Sequence, residues 1–357
     1  MAVEEVQTVL GPVPAEELGV TMAHEHLFVD ATVNWVAPRE PSRRPAAEGQ
    51  VTIELLGLLR RNPALNRDNC VLADIQTAVD EAIDFRSLGG GTIVDVSNDD
   101  IGRDAAALAY VARATGLHVI AGCGHYIHRA HPPELEDEPM ESIAERLERE
   151  IVEGIGTTGV RAGVIGEIGT SQPLHPREAK VLRAAARAQR ATGIAITLHV
   201  TNPNGHEVLD VLEEADADLS RVIVGHQDSL LAQGGLDLEP LFEHLVSLAT
   251  RGSYVQFDTV GKEYSFPALA DYSGTFWFPS DRVRAKALKG LVDAGIGDRL
   301  LLSQDVCSKV DLIRYGGFGY GHIMRNFCGD LAEAGVSSEA IRLMLVDNPR
   351  RIFARAA

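Results

Sequence analysis

Two histidines one residue apart, His24 and His26 in the stretch Thr21–Asp30 (TMAHEHLFVD), interrupt what otherwise reads as an apolar strand. Side chains of a strand alternate between its faces, so both imidazoles point one way and Glu25 the other. A lone core histidine is satisfied by one hydrogen-bonding neighbour, whereas two imidazoles on one face suit a metal ion. Four more groups able to ligate a metal end apolar, β-branched runs: Glu167 in VIGEIGTS, His199 in ITLHVT, His226 in IVGHQD and Asp305 in LLLSQDV. Taken singly, each has an ordinary structural role, as a salt-bridged carboxylate, a capping donor or a helix N-cap. Together these six groups suit two divalent metals that share one carboxylate and leave a position open for water.

Such groups converge only if the runs that carry them lie side by side. Eight segments read as strands: GVTMAHEHLFVD, GTIVDVSN, HVIAGCGHY, GVIGEIGT, IAITLHVT, RVIVGHQD, SYVQFDTVG and RLLLSQDVC. Alanine-rich, helix-periodic segments lie between them, among them DIQTAVDEAIDFRSLG, DAAALAYVARATG and PREAKVLRAAARAQRATG, and several end at glycine. The alternation predicts an α/β fold, a (β/α)8 TIM barrel preceded by a short β-hairpin around Gly11-Pro12, in one domain over residues 1–357. Two doubly wound domains are the competing arrangement, but no Pro-, Gly- or Ser-rich linker divides the chain. In a TIM barrel the chemistry sits at the C-terminal ends of the strands, where the six groups fall. The glycines of LGGGTIVDVS precede a strand, so they read as a turn and not as a phosphate cradle. The segment YGGFGYGHIMRNF is expected to be a flexible substrate loop.

Composition narrows the partners. The chain has 357 residues, 45% of them apolar, and its 33 basic against 51 acidic residues give a net charge of −18. That charge repels nucleic acid and anionic membranes, and no apolar run is long enough to span a bilayer. The acidic N-terminus lacks a secretory signal, and Cys70, Cys123, Cys307 and Cys328 show no CxxC spacing, so a cytoplasmic protein is expected. No G-x-S-x-G elbow supports a serine hydrolase. Of the remaining histidines, His118, His175, His206 and His244 read as surface residues. His125, His128 and His131 follow strand three at spacings that suit no second metal site. Long connections after strands one, seven and eight carry Trp35, Arg39, Arg43, Arg44, Lys262, Tyr264, Trp277, Lys309, Arg314 and Tyr315. Cations there could receive an anionic substrate end, although each alone reads as solvated surface charge.

The set HEH, VIGEIGTS, TLHV, VGHQD and SQDVCSK, with GPVPAEELGVTMAHEH near the start and DNPRRIF near the end, resembles the phosphotriesterase family of the amidohydrolase superfamily. The resemblance covers essentially the whole chain. It implies that His24, His26 and Asp305 hold the more buried metal, that His199 and His226 hold the more exposed one, and that Glu167 bridges them. A bridging hydroxide, its proton taken by Asp305, would be the nucleophile. It also implies a small-molecule substrate and a homodimer.

Two departures from the family's pattern bear on chemistry. Members that cleave phosphotriesters or long-chain lactones bridge their metals with a carboxylated lysine, and strand four here has none, which places the chain nearer the phosphotriesterase-related or homology-protein branch with a glutamate bridge. The lactonase tyrosine matches Tyr126 in GCGHYIH, but the lactonase DRYG becomes DTVGKEY, without the arginine. The expectation is a hydrolase carrying two divalent metals, zinc first, with manganese, cobalt or iron suited by the same ligands. It would cleave a carboxylic ester, lactone or amide, with Tyr126, Lys262 and Lys309 contacting substrate. Phosphotriesterase activity is the second reading, and a non-catalytic small-molecule binding protein the third.

Overall fold

All eight expected strand segments form strands. The computed structural model describes residues 4–232, 238–267 and 275–355. Its parallel strands are β1 (Val20–Glu25), β2 (Gly90–Asp95), β3 (His118–Cys123), β4 (Val164–Gly169), β5 (Ile196–His199), β6 (Val222–Val224), β7 (Tyr254–Phe257) and β8 (Leu300–Leu302). They pair in chain order from β1 to β8. Helices α1 (Ile75–Ser87), α2 (Ala105–Thr115), α3 (Met140–Val152), α4 (Pro176–Thr192), α5 (Gly205–Glu214), α6 (Leu238–Thr250) and α7 (Asp281–Asp293) lie between strands, and short helices α8 (Cys328–Glu333), α9 (Ser338–Arg342) and α10 (Asn348–Phe353) follow β8. This is the expected (β/α)8 barrel.

Helix α3 shows how sequence sets the layers. Ile143, Leu147 and Ile151 recur every fourth residue with Ala144 beside them, and all four are buried while Glu141, Glu145 and Arg149 are exposed. Each fully buried Ile or Leu contributes ~1.5–3 kcal/mol. Asp74 and Asp104 cap α1 and α2 by accepting from Thr77 and Ala107 N–H, and α2 and α4 stop at Gly116 and Gly193 as their sequences predict. A second, inner core fills the barrel floor with Val94, Ile120, Val164, Ala195, Ile223 and Leu301. Val6 from the N-terminal hairpin and Ile352 and Phe353 from α10 close it from below. The hairpin pairs Glu5–Thr8 with Gly11–Pro14, so the chain reverses at Val9-Leu10 and Gly11-Pro12 begin the return strand.

Residues Tyr315–Phe327 do not act as the flexible substrate loop expected of them. Tyr320 is buried and donates to the His26 carbonyl at 2.7 Å, Gln304 Nε2 donates to the Gly319 carbonyl at 2.7 Å, and His322 pairs with Asp281 at 2.7 Å. These bonds pack the segment against the barrel.

Closure between β8 and β1 rests on side chains as well as backbone. His24 N–H donates to Ser303 Oγ at 3.0 Å, and Asp305 N–H donates to the His24 carbonyl at 3.2 Å. Glu25, pointing away from the two histidines, accepts from Ser303 Oγ (2.7 Å) and Gln304 N–H (2.8 Å) on one oxygen and from Val306 N–H (2.8 Å) on the other. Burial raises this carboxyl to about 7 against the pull of those bonds. An amide in its place would turn a donor toward at least one of these donors. Glu25→Gln should therefore lower stability by ~1–3 kcal/mol. The urea midpoint of metal-free protein measures this, and an unchanged midpoint would show that the β8 turn holds without Glu25.

Candidate metal centre

The six groups expected to gather at the strand ends do gather. Glu167 is the hub, and four imidazole nitrogens approach its carboxylate. On Oε2 these are His199 Nδ1 at 2.9 Å, His24 Nε2 at 3.3 Å and His226 Nε2 at 3.4 Å; on Oε1 it is His26 Nε2 at 3.4 Å. The Glu167 backbone is held by its N–H to the Val96 carbonyl (2.8 Å) and by Asn98 Nδ2 to its carbonyl (2.9 Å). Asp305 Oδ1 lies 3.3 Å from His26 Nε2 and 3.9 Å from His24 Nε2. Two three-residue groups, His24/His26/Glu167 and Glu167/His199/His226, bring their ligand atoms within 4.8 Å of one another and share Glu167. His199 is the least buried of the four histidines, in keeping with the more exposed site.

The outward nitrogens fix which way the lone pairs point. Ser97 Oγ donates to the Phe28 carbonyl at 2.8 Å, so it accepts from His26 Nδ1–H, also at 2.8 Å. His226 Nδ1 lies 2.8 Å from Asp258 Oδ1, and Asp258 also accepts the His226 backbone N–H at 3.0 Å. His199 Nε2 faces Tyr126 Oη at 3.3 Å. With those outward nitrogens protonated, the inward ones present lone pairs to a buried carboxylate, and the inward nitrogens of His199 and His226 stand only 2.7 Å apart. Neither ring nitrogen of the fully buried His24 has a hydrogen-bond partner among the described residues. Lone pairs and carboxylates converging in a buried space require positive charge among them. The donor set, imidazole nitrogen and carboxylate oxygen, therefore fits divalent cations.

The electrostatics of the metal-free groups express the same demand. Burial opposes the charge of Glu167, yet His199 and His24 hold it well below the usual carboxylate range. Burial likewise opposes the charge of His26, but hydrogen bonds with Asp305 and Glu167 push it up to about 10. His226 is raised against burial by Asp258, and His199 is lowered by burial and by its neighbour His226. Asp305 is lowered despite burial, chiefly by the Lys262 ammonium.

Above the hub lies a cavity open to solvent, lined by His199, His226, Asp305, Tyr126, Lys262, Cys307 and residues of six barrel loops. Tyr126 and Lys262 are thus at the site, as expected. Lys262 is not the solvated surface charge its sequence suggested: it is 3% exposed and ion-paired to Asp305. Lys309 faces elsewhere. Val310 N–H docks on Asn69 Oδ1 at 2.9 Å, which turns Lys309 to Asp68 at 2.6 Å and into a separate cavity. The four histidines read as surface residues are half-buried: His118 starts β3, His175 caps α4, and His206 packs edge-on against His244 at 5.1 Å. His125 and His131 brace the Tyr126 turn, through Asp100 and the Tyr126 carbonyl, and His128 pairs with Glu178.

Two functional carboxylates escaped the sequence reading. Asp258 ends β7 at the level of the ligands and groups with His24 and His226, its Oδ2 3.5 Å from His24 Nδ1. The rule that found the other six, a polar residue at the C-terminal end of a strand, would have found it too. Glu25 was visible only as the residue facing away.

A (β/α)8 barrel whose strand ends bring four histidines and three carboxylates together defines a metal-dependent hydrolase scaffold. The chain belongs to the phosphotriesterase family, which it matches over residues 4–353 and whose members are binuclear metal-dependent enzymes acting on small molecules. It is 34% identical over 353 residues to an N-acetyltaurine hydrolase from Danio rerio, covering 97% of each chain. A resiniferatoxin-binding protein from Rhodobacter sphaeroides superposes with a TM-score of 0.92 at 36% identity, over 98% of this chain and 95% of that one. A phosphotriesterase homology protein from Escherichia coli, complexed with phosphate in its active site, gives 0.75 at 30% identity, over 95% and 99%. No helix among the described residues is long and apolar enough to cross a membrane.

Because Asp258 touches one histidine of each proposed site, Asp258→Ala should weaken metal uptake at both by ~10–100-fold. Calorimetric titration of metal-free protein measures it, and loss confined to one site would limit Asp258 to that site. Glu167 brings its carboxylate ready-made, whereas a lysine there would first have to react with carbon dioxide. Metal-free protein should consequently take up a pair of divalent ions in degassed, bicarbonate-free buffer. Uptake that needs bicarbonate, or that stops at one ion by elemental analysis, would remove Glu167 as the bridge.

Proposed function

We propose that this chain is a binuclear metal-dependent hydrolase that cleaves a small carboxylic amide, with esters and lactones as chemically related substrates. The observation that carries the reading is the convergence of four imidazoles and the Glu167 and Asp305 carboxylates at the floor of a cavity open to solvent. Zinc is the first candidate for the ions. When bound, they supply Lewis acidity toward a carbonyl oxygen and acidify water. His24, His26 and Asp305 would hold one ion and His199 and His226 the other, with Glu167 between them.

Asp305 is the residue placed to take a proton from attacking water, since it alone among the carboxylates of the centre lines the cavity. Tyr126 stands over His199, where its hydroxyl can meet the substrate carbonyl as well as hold the imidazole. Ile127 and Phe278 give the cavity an apolar wall, and Asn34, Asn202 and Arg129 give it a polar edge. That division suits a short acyl group joined to a polar or anionic amine. The N-acetyltaurine hydrolase relatives support the amide over the ester.

Asp305→Asn keeps an oxygen for metal but cannot accept a proton, so turnover should fall at least ~10²-fold with metal content retained. The assay is a screen of metal-loaded protein against N-acyl amino acids and N-acyl aminosulfonates, aryl esters, lactones and phosphotriesters. Phosphotriesters as the best substrates would reverse the assignment. Full activity in a metal-replete Asn variant would move the base elsewhere.

A further inference from the structure

Lys262 entered as a substrate-binding candidate, but its charge is already engaged. Its Nζ donates to Asp305 Oδ2 at 2.5 Å and lies 3.2 Å from Cys307 Sγ. The side chain stands in the partition between the cavity over the histidines and a second cavity lined by Tyr264, Val306, Val310 and Asp311. Its backbone is fixed from both sides. Lys262 N–H donates to the Thr259 carbonyl at 3.0 Å, and the Lys262 carbonyl accepts from Arg284 at 3.0 Å. Arg284 is fully buried and ion-paired with Asp228 at 2.6 Å and Asp281 at 2.8 Å. Asp228 in turn accepts the backbone N–H groups of Asp258 and Thr259 at 3.3 and 3.2 Å. The ammonium is therefore delivered to Asp305 by the same buried network that sets the end of β7.

We propose that Lys262 is a positioning residue that reserves one oxygen of Asp305, so that only Oδ1 faces His24 and His26. The two oxygens have different surroundings: Oδ2 meets the ammonium, and Oδ1 meets the imidazole nitrogens. Without the ammonium, Oδ2 is free to rotate toward the histidines, and the carboxylate would commit both oxygens to the space that cations fit. Metal would then be held at least as well, while the orientation that lets Asp305 serve the reaction would be lost.

The metal-binding arm of the test is independent of the proposed hydrolase activity, and the turnover arm rests on it. Lys262→Met keeps an unbranched side chain one atom shorter and removes the charge. Calorimetric titration of the metal-free variant with zinc should give affinity equal to or above that of the parent chain. With the best amide substrate, kcat should fall ~10–100-fold with KM within about threefold, the range for residues that orient a ligand. Lys262→Arg should recover part of kcat, because a guanidinium can still hold Oδ2. A rise in KM with kcat unchanged would make Lys262 a substrate receptor and overturn the proposal. A parallel loss of zinc affinity and thermal stability, in Lys262→Met or in Lys262→Gln should the first variant fold poorly, would reduce the residue to a structural support and overturn it as well.

Discussion

A buried carboxylate that four imidazole nitrogens approach needs positive charge among them, as bound cations or, in the metal-free protein, as protons on the raised His26 and His226 rings, and the rest of the barrel mouth is organised around that constraint. Taking even one ion out of water costs several kcal/mol unless opposite charge and hydrogen bonds replace the solvent. Here the replacement is built in layers. Glu167 and Asp305 meet the inward nitrogens, while Ser97, Asp258 and Tyr126 meet the outward ones of His26, His226 and His199. The outer contacts matter because an imidazole has only one lone pair when neutral, and the partner of its N–H decides which way that lone pair faces.

The backbone carries the same signature. Among non-glycine residues with positive φ, two are proposed ligands: His226 at 58° and Asp305 at 49°. Such conformations cost ~1–3 kcal/mol each and persist where the surroundings over-determine them. In both cases a buried carboxylate does so. Asp258 binds the His226 N–H itself, and Glu25 binds the N–H groups of Gln304 and Val306 on either side of Asp305. Glu25 is thereby as much part of the centre as the two histidines that flank it, although it faces the other way.

How much of this could be read from the sequence follows from the range of each interaction. Strands and helices were legible because period and composition are local, and β1 to β8 fall within the eight segments marked out, save that β2 starts one residue earlier, at Gly90. The six ligand-type residues were legible because a polar group in an apolar run is conspicuous. What stayed hidden depends on contacts distant along the chain. Glu25 acts on residues 303–306, Lys262 on Asp305, and Lys309 is turned aside by Asn69 and Asp68. No pattern of spacing reports such partners. Lys262 was misjudged because polarity signals solvent only until a fold supplies a partner.

The division between strands and loops has a consequence for substrate range. Every proposed ligand, with its bracing carboxylate, sits on a strand or within three residues of a strand end, where parallel pairing fixes it. The cavity wall instead draws single residues from separate loops, among them Asn34, Ser171, Asn202 and Phe278. Loop residues can change without moving the ligands, because the bonds that hold the ligands close among the strand ends themselves. Lys262 and Tyr126 are the exceptions, since both line the cavity while Lys262 holds Asp305 and Tyr126 meets His199. A substitution at either cannot alter the wall without altering the centre, so the fit to substrate and the geometry of the chemistry are set there by the same side chains.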